Sequence, residues 1–307
     1  MPNKTVLGFI GLGQMGGSMA ERLIADDIEL HVYDPSAAAM ERFVSRGATP
    51  HGSPRQVADA ATIVFACLPS REVSAAVALG PDGVCHGGKV GVYVEMSTIG
   101  RTCIESIAQG LAAKGIQAVD APISGGPPAA REGRLAMMMS GPAQAVAQVR
   151  PWLLRIGRQV YVLGDKAGQA QVMKLVNNIL MATNLVAASE GLVMGAKAGL
   201  DAAVMLDVLR AGTGHSASAG DILGRVGLSG SFDFGARLSI VEKDVHLGLD
   251  EAAALGVPAK VMQAAADIWD AAARKGWGDQ DFSTILKLIE EQGGAEVRSP
   301  ASGAADS

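Results

Sequence analysis

Residues 8–20 read GFIGLGQMGGSMA, a glycine-rich turn between a β-branched and aromatic run, residues 5–10, and a helix-like run, residues 15–25. Few chain segments restrict the fold as much as this one. A strand that must turn sharply into a helix is the opening of a βαβ unit, and three glycines at this spacing each meet a distinct steric demand. Gly11 permits the tight turn, Gly13 allows a pyrophosphate to approach the backbone, and Gly16 lets helix and strand pack closely. The helix start adds unpaired N–H donors for the anion, and Leu12, Gln14 and Met15 complete the loop. The competing reading is a glycine-rich turn without a ligand.

The rest of the first half continues the same alternation. Strand-like apolar runs at 30–34, 61–69, 89–98, 116–124, 135–141 and 159–164 are separated by helical segments, as expected for a mainly parallel sheet built from right-handed βαβ units. Ser53 followed by Pro54 reads as an N-cap and first helical position. After Gly164 the apolar spacing turns helical up to about residue 291, and residues 168–198 read as one long helix without proline. The expected architecture is therefore α/β: a Rossmann-type, doubly wound, mainly parallel sheet at residues 1–164, joined through a long helix to an all-helical domain at 165–292. Residues 293–307, rich in Gly, Ala and Ser, are expected to be a disordered tail.

Composition narrows the partners. Of 307 residues 49% are hydrophobic but only 4% aromatic, so small aliphatic side chains must build the core. A formal charge of −5 and no Lys/Arg stripe argue against nucleic acid and toward small molecules. No uninterrupted apolar run is long enough to span a membrane and no secretory signal leads the chain, so a cytoplasmic protein without a membrane partner is expected. Cys67, Cys85 and Cys103 lack CxxC spacing and read as free structural thiols. The histidines form no HxxxH or HExxH pattern, so no metal centre is expected.

Several residues carry candidate chemistry. Asp34 closes the second strand, where a carboxylate can accept from the adenosine ribose hydroxyls and repel a 2′-phosphate; with no arginine directly after it, NAD is expected over NADP. A helix-leading cap is an equally compatible role for it. CLPS (67–70) and STIG (97–100) end strands at the carboxyl edge of the sheet. In DAPISGG (120–126), Ser124, Gly125 and Gly126 offer a hydroxyl and successive backbone N–H groups, an arrangement suited to a carboxylate; a flexible turn is the alternative. In GQAQVMKLVNN (168–178), Lys174 and Asn178 are four apart on one helix face. A partly desolvated lysine can exchange a proton with a substrate hydroxyl that the asparagine orients, although a solvated surface lysine is the ordinary alternative.

These motifs in this order, with VEKDVHL (241–247) and GDQDFS (278–283), resemble the β-hydroxyacid dehydrogenase family, which includes 3-hydroxyisobutyrate dehydrogenase and tartronate semialdehyde reductase and is related to 6-phosphogluconate dehydrogenase. The resemblance covers almost the whole chain. It implies an oxidoreductase that moves hydride between NAD and a small, carboxylate-bearing 3-hydroxy acid. Lys174 would take the hydroxyl proton, Asn178 hold the hydroxyl, and Ser124, Gly125 and Gly126 bind the carboxylate. Leu68 and Pro69 would line the nicotinamide side, and Thr98 and Lys243 would lie close to cofactor or substrate. Lys243 also fits a solvated charge cluster with Glu242 and Asp244, and Asp281 with Phe282 fits a helix cap and its anchor.

Other features read more plainly. Met137, Met138 and Met139 suit an irregular core strand, Glu190 a buried or interface carboxylate, and Arg131 and Arg134 surface positions, with contact to a second substrate anion as the alternative. His215 is a candidate for substrate selection. Pro127 and Pro128 stand where many relatives have one small or β-branched residue, which alters the expected pocket. Within the same fold an imine or small-aldehyde reductase is the rival enzyme; a non-catalytic dinucleotide sensor would have no need of Lys174. The long apolar-striped helix, together with the family resemblance, suggests a homo-dimer or homo-tetramer.

Overall fold

The computed structural model describes residues 4–298, which form two compact units dividing after Lys174. The first unit is built on nine strands: β1 Thr5–Ile10, β2 Ile28–Tyr33, β3 Thr49–Pro50, β4 Ile63–Ala66, β5 Val92–Glu95, β6 Gln117–Asp120, β7 Ile123–Ser124, β8 Leu135–Ser140 and β9 Gly157–Gly164. Their order is β3-β2-β1-β4-β5-β6-β8-β7, with β9 also beside β8. All pairs are parallel except β6 with β8 and β7 with β8. The order reverses between β1 and β4, which creates the crevice where open α/β sheets bind ligands.

The sheet is covered on both faces because its strands are apolar on both. Leu7, Phe9, Phe65 and Val94 belong to one core with Phe43 and Met19; Ile10, Val64 and Tyr93 belong to the other with Val57 and Ile104. Met137, Met138 and Met139 are buried strand residues. Ser53 accepts from the Gln56 N–H with Pro54 at the start of the helix Pro54–Ala60, as the sequence implies. The strands are shorter than their apolar runs. Residues 61–62 and 67–69 lie outside β4, and the run at 116–124 breaks at Ala121 and Pro122, where the chain keeps its direction but passes from the parallel pairing of β6 with β5 to the antiparallel pairing of β7 with β8.

The second unit is helical, with no strand among its described residues. The helix Gln169–Lys197 enters it, and Ala182, Leu185, Val186, Leu192 and Val193 pack with Leu206, Trp269, Ile285 and Leu286. That helix is long and apolar enough to cross a membrane by length and composition alone, but these side chains form the core of a helical unit. The stretch Ser218–Gly227 is π-helical.

Side-chain bonds set two boundaries in the structure. The units divide ten residues after β9 ends, because the first turns of the long helix are bonded to the sheet. The first residues of the expected disordered tail are held in place: the Val297 N–H donates to Glu290 Oε1 (2.7 Å), the Val297 side chain is buried, and Arg298 pairs with Glu290. The remaining tail, 299–307, lies outside the described residues.

Candidate active site

The glycine loop sits at the switch point, directly beside the end of β4. The Cys67 N–H donates to the Ile10 carbonyl (2.9 Å). Gly11 has φ +88°, and a Cβ there would lie 2.2 Å from the Cys67 carbonyl oxygen; a Cβ on Gly16 would lie 2.0 Å from the Gly11 carbonyl oxygen. A Cβ on Gly13 would meet nothing within 4 Å. Two glycines are thus demanded by the protein's own packing, whereas the third keeps an open approach to the backbone.

The helix Gln14–Glu21 begins at Gly13 with no side-chain cap and no acidic residue in its first turn. By helix geometry the N–H groups of Gln14, Met15 and Gly16 lack an intrahelical acceptor and are available to an anion. These features fit a dinucleotide pyrophosphate. The Leu12 side chain is buried in the core, and its N–H donates to Asp34 Oδ2 (2.7 Å) while the Ser36 N–H donates to Oδ1 (2.8 Å). Asp34 is therefore a brace for the loop.

The strand-end segments are joined by buried polar groups. The Leu68 N–H donates to Ser97 Oγ (2.7 Å), and the Ser97 N–H donates to Glu95 Oε1 (3.0 Å). Tyr93 donates to Glu95 Oε2 (2.8 Å). Burial raises the Glu95 carboxyl above its ordinary value despite these donors, and burial followed by the Glu95 charge pushes the Cys67 thiol up to about 12. Cys67, Cys85 and Cys103 are free thiols. Thr98 is half-buried between Ser97 and Ile99.

At the proposed carboxylate loop, Ser124 ends β7 and Gly125 and Gly126 both have positive φ, turning the chain into the short helix Gly126–Arg131. Pro127 and Pro128 occupy its first turn and lack N–H groups, so the available donors narrow to Ser124, Gly125 and Gly126. Arg131 is exposed and Arg134 is paired with Glu132, which accords with surface arginines.

The helix carrying Lys174 starts on an acidic anchor. Asp120, fully buried at the end of β6, accepts from Ser140 Oγ (2.5 Å) and from the Gln171 N–H (3.0 Å), while Ser140 Oγ accepts from the Ala170 N–H (2.9 Å). Burial raises the Asp120 carboxyl to about 6 even though these donors pull it down. Gln171, also fully buried, accepts from the Ile99 and Gly100 N–H groups (3.0 and 3.1 Å) and donates from Nε2 to the Ser97 carbonyl (3.0 Å). Lys174 follows one turn later and is buried.

In the helical unit Asn178 Nδ2 donates to Asp244 Oδ2 (2.5 Å), and Lys243 Nζ lies 3.1 Å from Asp244 Oδ1. Asp244 is buried, so Lys243 and Asp244 are not the wholly solvated cluster that their spacing also allowed. Asp281 acts as a cap, accepting from the Ser283 N–H (3.0 Å) and the Gly235 N–H (2.7 Å), and Phe282 packs in the core. Glu190, expected to be buried or at an interface, is exposed in the single chain. His215 is exposed beside Gly220, next to the π-helical stretch. Glu242, His246 and Asp270 place donor atoms within 4.8 Å of one another, a grouping that no histidine spacing announced, and His246 Nε2 is 2.7 Å from Asp270 as in an ion pair.

Sequence reasoning thus missed Ser97, Asp120, Ser140, Gln171 and Asp244. Each lies within or beside a recognised motif, but each meets its partner 20 to 74 residues away, and only the folded chain reveals the pairing.

Residues 6–164 match the family model described as the NAD binding domain of 6-phosphogluconate dehydrogenase. Residues 168–289 match the model described as NAD-binding of NADP-dependent 3-hydroxyisobutyrate dehydrogenase. The chain is 32% identical to 2-(hydroxymethyl)glutarate dehydrogenase of Eubacterium barkeri, over 97% of this chain and 99% of that protein. It is 31% identical to 3-hydroxyisobutyrate dehydrogenase of Pseudomonas aeruginosa, over 92% and 98%. Among solved structures, Mycobacterium tuberculosis 3-hydroxyisobutyrate dehydrogenase with L-serine is similar, with a TM-score of 0.84 at 27% identity over 93% and 99% of the two chains.

Proposed function

The chain belongs to the β-hydroxyacid dehydrogenase family of NAD(P)-binding oxidoreductases, and we propose that it oxidises a small 3-hydroxy acid reversibly, with NAD as the preferred cofactor and Lys174 as the proton-transfer group. The observation that carries the reading is the placement of Lys174. It stands one turn past a helix start bonded to the sheet's carboxyl edge, with Asn178 a further turn along the same face.

The substrate class follows from shared chemistry. The molecules named with the relatives, 2-(hydroxymethyl)glutarate, 3-hydroxyisobutyrate and L-serine, each have a hydroxyl on the carbon β to a carboxylate. In this chain Ser124, Gly125 and Gly126 would hold that carboxylate through a hydroxyl and backbone N–H groups. Asp244 Oδ2 accepts from Asn178 Nδ2 and Asn178 Oδ1 accepts from Asn177 Nδ2, which orients the amide to help hold the substrate hydroxyl. During oxidation the hydroxyl proton passes to Lys174 Nζ, and in the reverse direction the Lys174 ammonium returns it. A bound nicotinamide would supply the hydride chemistry at that same carbon, so that the loss of hydride and of the hydroxyl proton together would turn the C–O single bond into C=O. Leu68, Pro69, Thr98 and Lys243 would border cofactor or substrate.

NAD is favoured over NADP because the ribose position carries Asp34, no basic residue occurs from 34 to 41, and Arg42 is paired with Glu21 (3.0 Å). Three free thiols suit a reducing compartment, so the proposed location is the cytoplasm. The test is to follow nicotinamide reduction with NAD and, separately, NADP against 3-hydroxyisobutyrate, glycerate, 3-hydroxypropionate, serine and threonate. Turnover of one member with NAD is the expected result. Silence across the panel with intact NAD binding would shift the reading to an imine or aldehyde substrate, or to a sensor.

A further inference from the structure

We propose that Gln171 is a positioning residue for the reaction: with Ser97 it locks the helical turn that bears Lys174 to the strand-end segments on the nicotinamide side. The inference rests on the assignment of Lys174 above. Its basis is a continuous run of hydrogen bonds within the first unit. The Leu68 N–H bonds to Ser97 Oγ, the Ser97 carbonyl accepts from Gln171 Nε2, and Gln171 Oε1 accepts from Ile99 and Gly100 together.

A carboxamide suits this place because one side chain must both donate and accept. A hydroxyl is too short, and an ionised carboxylate would face the Ser97 carbonyl with no donor. Gln171 is fully buried, so water cannot stand in for it. It lies three positions before Lys174, a rise of about 4.5 Å along the helix, and the two share a face.

Asp120 and Ser140 hold the first turn of the same helix from β6 and β8. Anchors on the end alone would still allow the helix to roll about its axis. Gln171 removes that freedom, because its bonds run sideways to the loop at 97–100. A roll of a few degrees at residue 171 is carried directly into the position of the Lys174 ammonium, and proton transfer is sensitive to such displacement.

The experiment compares the full chain with Gln171→Met and Gln171→Glu, reading thermal midpoint, NAD affinity, and kcat and KM in both directions. Methionine keeps the shape and removes all three bonds. The expected result is a fall in kcat of roughly 10- to 100-fold with KM and NAD affinity within about threefold of wild type. Glutamate keeps the acceptor and, when protonated, regains the donor. Its kcat for carbonyl reduction, taken relative to wild type at each pH, should therefore recover on acidification, whereas that of the methionine variant should not. A purely structural role would lower the midpoint and the folded fraction while leaving kcat per folded molecule and its pH profile unchanged. That outcome, or kcat within twofold of wild type in both variants, overturns the inference. Should the methionine variant not fold, the pH series of the glutamate variant decides. Silence of the wild type on every hydroxy acid removes the assignment of Lys174 and this inference with it; an active wild type with unimpaired variants removes the inference alone.

Discussion

In the proposed reaction Lys174 is the residue on which turnover depends most directly. Lys174→Ala removes the group that accepts and returns the hydroxyl proton but leaves the glycine loop and Asp34 intact. Turnover should fall by about two to four orders of magnitude, with NAD affinity, read by fluorescence titration, nearly unchanged. Near-normal turnover would remove the assignment. Asp34 carries a double prediction, since both its oxygens already accept backbone N–H groups. Asp34→Asn has one acceptor oxygen left for two donors, so it should cost about 1 kcal/mol in stability. It should also narrow the NAD over NADP ratio of kcat/KM, because the repulsion of a 2′-phosphate is gone. An unchanged ratio would discard the charge argument.

At the scale of the element, the glycine loop separates packing from ligand approach. Gly16→Ala drives a methyl into the Gly11 carbonyl and should lower the melting temperature markedly. Gly13→Ala meets open space, so it should fold and melt like wild type yet bind NAD at least tenfold more weakly, about 1.4 kcal/mol. Equal NAD affinity in Gly13→Ala would show that nothing approaches the backbone there. This part of the site was legible in the sequence because each glycine answers a local steric demand within a few residues. The Lys174–Asn178 spacing was legible for the same reason, given a helix. The anchors of that helix were not, since neither Asp120 nor Gln171 has a neighbour in sequence that explains it. Asp120 also makes the helix start sensitive to pH. Its folded value of about 6 lies above its ordinary 3.8, so the folded state holds the proton more tightly. The sign follows: stability from this group is fully present below about pH 4 and is lost as pH rises toward and past 6, by roughly 3 kcal/mol at most. Asp120→Asn cannot titrate, so in urea titrations the wild type should lose stability relative to the variant between pH 4 and pH 7. A constant difference across that range would contradict the raised value.

For the whole molecule, the change from strand-like to helical spacing after Gly164 was readable, whereas the place where the compact units divide was not. Periodicity reports local structure, and the division after Lys174 is decided by side-chain bonds that tie residues 170 and 171 back to β6 and β8. Residues 293–298 follow the same rule: Gly293, Gly294 and Ala295 give no hint of Val297 and Arg298, whose partner is Glu290. The last expectation concerns assembly. In the helical unit Met194, Leu200, Val204 and Val208 are 72%, 59%, 61% and 64% exposed on neighbouring segments. Contiguous exposed apolar side chains of this size are costly in water, and in the proposed homo-oligomer a second copy of the chain covers them. Light scattering on the eluting protein should therefore give a multiple of 31.4 kDa. Val204→Glu with Val208→Glu places two charges in the contact without touching Lys174, Asn178 or the glycine loop, and should shift the protein toward monomer. A wild type that elutes at the mass of one chain would refute the assembly, and an unchanged multiple in the double variant would move the contact to another face.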